Sequence, residues 1–117
     1  MLIAALYGNR EVLLGIEQLL NSFAEVETVF VFDSFQSVRD FLNRYDVDLI
    51  FIDADDSITD WRYLVQKFEE VNHKTKIVLL SSNADQSVRA YEAGVFDYLM
   101  KPVKKRQLTR VLQKALR

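Results

Sequence analysis

Five short apolar runs divide the chain at regular intervals: Leu2 to Leu6, Val26 to Phe32, Asp48 to Asp53, Lys76 to Ser81 and Phe96 to Met100. The middle runs are nearly continuous in Val, Ile, Leu and Phe, as expected for strands covered on both faces. Between the runs the period changes. Val12, Ile16, Leu19, Leu20 and Phe23 recur at helical spacing, as do Val38, Phe41, Leu42 and Tyr45, and then Trp61, Leu64, Val65 and Phe68. Val88, Tyr91 and Val95 mark a shorter fourth stripe, and Leu108, Val111, Leu112 and Ala115 a fifth. Each stripe is the apolar face of an otherwise polar helix.

Strand followed by helix, five times over, implies parallel strands joined by right-handed crossovers. The expected fold class is therefore α/β, a five-stranded parallel sheet in a three-layer sandwich. At 117 residues the chain suits one core and leaves no room for a second, so residues 1–117 are expected to form a single domain. No internal repeat, low-complexity stretch or linker interrupts the pattern. In open parallel sheets, functional groups gather beyond the carboxyl ends of the strands, near the point where strand order reverses. The residues to inspect are then Leu6 to Asn9, Asp33, Asp53 to Ser57, Ser81 to Ala84, and Lys101.

Composition narrows the function classes. Half the residues are apolar, 27% are charged, and only three Gly and one Pro occur, which excludes disordered and fibrous classes. The absence of Cys removes disulfides, a thiol nucleophile and thiolate metal sites, and agrees with a cytoplasmic location. The opening MLIAALYGNR has no basic segment before its apolar run, and Asn9 and Arg10 end that run early, so neither a signal peptide nor a membrane span is read. The net charge of −2 hides an asymmetry: Lys101 to Arg117 carries seven bases and no acid, while the remainder is acidic. A basic terminal helix can meet an acidic partner or nucleic acid, but a solvated helix face is the simpler account, and no direct DNA binding by this domain is expected. His73 falls in the polar EEVNHKTK connection and reads as a surface loop residue. No Gly-rich phosphate loop, dinucleotide fingerprint or Ser-His-Asp set can be assembled, so nucleotide cofactors are not expected.

The chemistry lies at three strand ends. Asp53 closes the third run, Ser81 the fourth, and Lys101 follows the fifth, which brings a carboxylate, a hydroxyl and an ammonium to one sheet edge. A carboxylate can attack phosphorus to give an acyl phosphate. The ammonium would pair with phosphoryl oxygens and the hydroxyl would donate to one of them. Singly, each residue has a plainer account: Asp53 as a turn residue, Ser81 as a loop cap, Lys101 as a surface cation. Their joint placement is harder to obtain by accident.

The segments VDLIFID, KIVLLSS and AYEAGVFDYLMKPV resemble the receiver domains of bacterial response regulators over essentially the whole chain. The wording AGVFDYLMKP is similar to receivers that precede LytTR-type DNA-binding domains. The resemblance implies a (βα)5 flavodoxin-like fold and a non-enzymatic role in two-component phosphorelay signalling. It assigns Asp53 as phosphoacceptor, Ser81 as the small hydroxyl residue that turns toward the phosphate, and Lys101 as the phosphate-contacting lysine. Tyr98 matches the aromatic switch that moves between outward and inward positions. Pro102 would follow a cis peptide bond that aims Lys101 into the site; a trans Pro102 opening the last helix is the alternative.

The chain also departs from that family. Receivers place two acidic residues at the end of the first strand, which with the phosphoacceptor hold Mg²⁺; here Leu6 and Tyr7 are assigned to those positions. Loss of two carboxylates should weaken a hard cation, and with it phosphoryl transfer. After Asp53, the residues Ala54, Asp55, Asp56 and Ser57 replace the usual Met-Pro pair, and Trp61 takes a usual glycine position. Asp55 or Asp56 could lend a carboxylate to a relocated metal, or could be turn and helix-start residues near Thr59 and Asp60. Tyr7 is expected to plug the metal cavity and leave Asp53 and Lys101 as a fixed ion pair.

Three functions follow. The first is an atypical receiver that binds a histidine kinase or another signalling protein through the fourth helix, fifth strand and fifth helix, with little or no phosphorylation and no cofactor. The second is an ordinary phosphorelay receiver, phosphorylated on Asp53 with Mg²⁺. The third is a haloacid-dehalogenase-like phosphatase, suggested by Asp53 and Asp55 two residues apart in FIDADDS, with Ser81 and Lys101 as further motifs; no acidic residue follows Lys101 to complete it. A homodimer through the fourth and fifth helices is also expected, with the basic last helix meeting Asp85, Glu92 or Asp97 of a second copy.

Overall fold

Every strand in the sheet is parallel to its neighbours, and their order β2-β1-β3-β4-β5 departs from chain order. The computed structural model describes residues 1–56 and 60–117. The strands are β1 (Leu2–Tyr7), β2 (Val26–Phe32), β3 (Leu49–Asp53), β4 (Lys76–Ser81) and β5 (Asp97–Met100). They alternate with α1 (Arg10–Asn21), α2 (Phe35–Arg44), α3 (Trp61–Val71), α4 (Ser87–Glu92) and α5 (Lys105–Leu116), and a single 3₁₀ turn at Ala84–Gln86 precedes α4. The expected three-layer α/β sandwich is thus the observed one.

The period-two alternation of the strands builds two cores. In β3, Leu49 and Phe51 join Leu6, Leu13, Ile16, Leu20, Leu108 and Leu112 beneath α1 and α5. Ile50 and Ile52 point the other way, to Val38, Leu42, Leu64, Phe68 and Ala90 beneath α2, α3 and α4. All four β3 residues are fully buried, which explains why that run reads as uninterrupted apolar sequence. Helix starts are fixed by short polar side chains: Asn9 accepts from the Glu11 N–H at 2.9 Å, Ser34 from Ser37 at 3.2 Å and Asp60 from Arg62 at 2.9 Å. Each such cap contributes about 1 kcal/mol. Ser57, among the strand-end residues to inspect, and Thr59, beside the expected helix start, lie outside the described residues.

The fourth stripe differs from expectation. Val88 and Tyr91 are 66% and 48% exposed, Val95 falls after the helix, and Ala90 is the residue of α4 that packs on the sheet. A six-residue helix makes less than two turns, so one small side chain suffices for its sheet contact. Tyr91 instead leans over the surface, where its hydroxyl donates to Asp97 at 2.7 Å.

The strand order reverses between β1 and β3, the neighbours that flank the crossover to β2. The carboxyl ends of β1, β3, β4 and β5 therefore border one crevice, where this topology places functional groups.

Candidate functional site

Register sets the site. Tyr7 pairs with Ile52, Asp53 with Leu80, and Ser81 with Met100, so Asp53 and Ser81 finish adjacent strands and Lys101 follows directly on the next. The Lys101 N–H donates to the Ser81 carbonyl at 2.8 Å, carrying the ladder one step past β5. The Lys101–Pro102 peptide bond is cis.

Asp53 is 3% exposed, and its Oδ1 accepts from Lys101 Nζ at 2.6 Å and from the Asp55 N–H at 3.0 Å. Asp53 and Lys101 thus form an ion pair. The same ammonium lies 3.0 Å from Asp55 Oδ2, so one cation serves two carboxylates. Burial alone would lower the Lys101 pKa, but hydrogen bonds and charge from Asp53 and Asp55 outweigh it and hold the group above its ordinary value. For Asp55, burial opposes ionisation, yet hydrogen bonds from Lys101, Ser82 and Ser81 bring its pKa below the ordinary value.

Asp55 has more partners than the sequence disclosed. Its Oδ1 accepts from Ser81 Oγ at 3.0 Å, and its Oδ2 accepts from the Ser82 N–H at 2.9 Å and from Ser82 Oγ at 2.8 Å. Ser81 Oγ in turn accepts from the Asn83 N–H at 3.0 Å, and the Asn83 carbonyl accepts from the Tyr98 hydroxyl. Tyr98 is 7% exposed and packs with Ile52, Leu79 and Ala90, an inward position. Ser82 and Asn83 were noticed only as members of the β4 end. The role of Asn83 and half that of Ser82 depend on backbone groups, which leave no trace in side-chain type.

The β1 side is different, and corrects two expectations. Leu6 is a fully buried core side chain beneath α1 and α5, not a neighbour of Asp53. The residue against Asp53 is Gly8, whose φ of +144° and lack of a side chain permit the approach; a Cβ there would overlap the Asp53 side chain. Tyr7 does not plug the crevice. Its ring meets Phe68 edge-on at 6.2 Å, and it lines a cavity of about 310 Å³ together with Asp33, Phe35, Asp53 and Asp56. Burial, and then the charge of Asp56, raise the Tyr7 pKa, so this phenol stays neutral.

The expected dimer contacts also need correcting at Asp97. It is 3% exposed and engaged within the chain by Tyr91, the Tyr98 N–H at 2.8 Å, Arg110 at 3.6 Å and Lys114 at 3.9 Å. Two bases of α5, Arg110 and Lys114, therefore meet an acidic partner within the chain. His73 is exposed in the connection before β4, at the opposite end of the sheet strands from this site.

A parallel α/β sheet whose strand ends present a carboxylate, a hydroxyl, an ammonium and a buried tyrosine has the layout of a signal-receiving domain rather than of a nucleotide-binding one. The response regulator receiver domain family matches residues 8–113, and the chain belongs to that family. Among curated relatives it is similar to Protein MrkE of Klebsiella pneumoniae, with 33% identity covering 82% of this chain and 36% of that protein. It is similar at the same identity and coverage to the transcriptional regulatory protein YpdB of Escherichia coli K12, of which 39% is covered. The chain thus spans well under half the length of these relatives. The crystal structure of the response regulatory domain of the Klebsiella protein superimposes with a TM-score of 0.82 at 28% identity, over 98% of this chain and 95% of that one.

Proposed function

We propose that this receiver domain signals by protein-protein binding with little or no phosphorylation of Asp53. The observation that carries the reading is the pairing of Asp53 with Lys101 at 2.6 Å while the adjoining end of β1 offers Tyr7 and Gly8 in place of carboxylates. A hard divalent cation needs several oxygen ligands of negative charge. Here Gly8 has no side chain, Tyr7 is a neutral phenol, and Asp55 is turned away into bonds with Ser81, Ser82 and Lys101. Among the described residues no cluster of three or more His, Asp or Glu side chains is arranged to hold a metal. These residues do not fit Mg²⁺ in the manner of the family pattern.

Electrostatics argues the same way. Asp53, Asp55 and Lys101 already sum to one negative charge, and phosphorylation would replace the single charge of Asp53 with about two, taking these groups to about two negative charges with no second cation among them to offset the increase. At about 4 Å and an effective dielectric near 20, each extra like-charge contact costs about 4 kcal/mol. The phosphatase reading is disfavoured by the same bonds, since Asp55 is committed to Lys101 and the two serines and is not poised as a general acid.

The binding surface in this reading is the exposed face of α4, β5 and α5, where Val88, Tyr91 and Met100 are 66%, 48% and 37% exposed. Partners of that face are a histidine kinase, another signalling protein or a second copy, with Asp85 and Glu92 as the acidic contacts for a neighbouring α5. Monomeric sedimentation at low salt removes the dimer. The location assigned is the cytoplasm, in keeping with partners of this kind; no helix among the described residues is long and apolar enough to cross a membrane.

The test is incubation with a small phosphodonor, with and without Mg²⁺, followed by intact mass, with Asp53→Asn as control. The expected result is no adduct under either condition. An adduct that requires both Mg²⁺ and Asp53 replaces this reading with that of an ordinary phosphorelay receiver.

A further inference from the structure

Around Asp55 four donors converge on one carboxylate: the hydroxyls of Ser81 and Ser82, the Ser82 backbone N–H and the Lys101 ammonium, at 2.8 to 3.0 Å. Two hydroxyls, an amide and a cation around a single anion make a set suited to an oxyanion such as a phosphoryl group. The chain can supply its own anion because the Asp55 N–H bonds back to Asp53 Oδ1 at 3.0 Å, folding residues 53–55 over the end of β3. Asp55 thereby reaches the same hydroxyl and ammonium that a group attached to Asp53 would need.

From there a continuous set of bonds runs to β5. Ser81, fixed by Asp55, accepts from the Asn83 N–H, and the Asn83 carbonyl accepts from the Tyr98 hydroxyl. The path ends at a buried aromatic ring beside α4, whose outer face carries Val88 and Tyr91. The state of Tyr98 is in this way tied to an anion at residue 55.

We propose that Asp55 is a built-in substitute for the phosphoryl group, a positioning residue whose carboxylate occupies the oxyanion place between Ser81, Ser82 and Lys101 and keeps Tyr98 inward without covalent modification. This deepens the phosphorylation-independent reading above and rests on it. The α4–β5–α5 face is then presented permanently, and regulation passes to whatever controls the abundance or location of the chain or withdraws the residue 53–56 turn.

The test compares the full chain with its Asp55→Ala and Asp55→Asn variants by NMR. Two signals are followed: hydrogen-exchange protection of the Ser82 amide, and the accessibility of the Tyr98 ring to a soluble paramagnetic agent. Asp55→Ala is expected to reduce Ser82 protection about tenfold, the effect of one lost charge-assisted hydrogen bond, and to increase Tyr98 accessibility. Asp55→Asn keeps an acceptor oxygen but no charge, and is expected to fall between. A Tyr98 ring that keeps its wild-type accessibility in both variants overturns the proposal and reduces Asp55 to a loop residue; should Asp55→Ala fail to fold, the Asp55→Asn chain decides by the same criterion. The phosphodonor experiment is read separately. An adduct on wild-type Asp53 together with a released Tyr98 in the Asp55 variants removes the phosphorylation-independent function but not the role of Asp55, whereas no adduct together with an unmoved Tyr98 does the reverse.

Discussion

Asp53 has two unlike neighbourhoods. Toward β4 and β5 it meets Lys101, Asp55, Ser81 and, through Asn83, Tyr98, in a network where each polar side chain has a partner. Toward β1 it meets the bare backbone of Gly8 and, past it, the phenol of Tyr7 facing a cavity. The family pattern places anion recognition on the first side and cation recognition on the second. The two are carried by different strands, so one can be lost while the other stays assembled, provided something supplies the anion that the first side was built to hold. In this chain that anion is a side chain two residues beyond Asp53.

The comparison breaks most visibly at Lys101. Lys101→Met leaves the 2%-exposed Asp53 carboxylate without its cation, and loss of one partner of a buried pair costs about 3 kcal/mol. Urea unfolding at neutral pH should show that loss, and adding Asp53→Asn in the same chain should recover about half of it, because the stranded charge disappears. A Lys101→Met chain as stable as wild type would mean that the β4–β5 side is not the structural anchor.

On the β1 side the largest effect is steric. Gly8→Ala places a methyl against Asp53 in a backbone conformation that side chains rarely adopt, and is expected to cost about 2 kcal/mol. The same unfolding measurement checks it, with Gly15→Ala in α1, where an added Cβ meets nothing within 4 Å, as the neutral or stabilising control.

Asp55→Ala removes charge-assisted bonds from a partly exposed site and should cost about 1.5 kcal/mol at neutral pH. The sign of its pH dependence follows from the lowered pKa. Asp55 binds its proton less readily folded than unfolded, so its contribution is fully present above the ordinary value of 3.8 and is lost as pH falls through its lower folded value. The raised pKa of Lys101 gives the opposite limb: its contribution is complete below 10.5 and is lost as pH rises through its higher folded value. The stability difference between wild type and Asp55→Ala is therefore expected to be flat from about pH 5 to 9 and to shrink on acidification. The smallest effect belongs to Tyr98→Phe, which deletes the hydrogen bond to Asn83 and should cost about 1 kcal/mol in the same denaturant assay.

The fold was legible because burial on both faces leaves a plain mark: β3 and β4 are runs of Leu, Ile, Val and Phe, and α1, α2, α3 and α5 each carry one stripe. Where a helix is too short to need a stripe, as in α4, Val88 and Tyr91 misled, since apolar side chains on a surface obey the same spacing as buried ones. Asp53, Ser81 and Lys101 could be placed together from strand ends alone, and Tyr98 was added only by the family resemblance. The register of β1 could not, and so the acidic-pair positions were assigned to Leu6 and Tyr7 when the chain puts Gly8 against Asp53. Period-two alternation sorts residues between faces but does not say how far a strand runs before its backbone turns. The role of Asp55 was equally hidden, because FIDADDS shows two further carboxylates after Asp53 and only the turn decides which one folds back toward Ser81 and Lys101.

The most direct measurement is a Mg²⁺ titration of the wild-type chain, followed through the backbone amides of Gly8, Asp53 and Asp55. With β1 itself supplying no carboxylate and Lys101 already paired to both Asp53 and Asp55, those signals are expected to show no saturable change at millimolar Mg²⁺. Saturable shifts centred on Gly8 and Asp53, with loss of the Lys101 contact, would show that cation recognition survives and that the two sides of Asp53 are not separate after all.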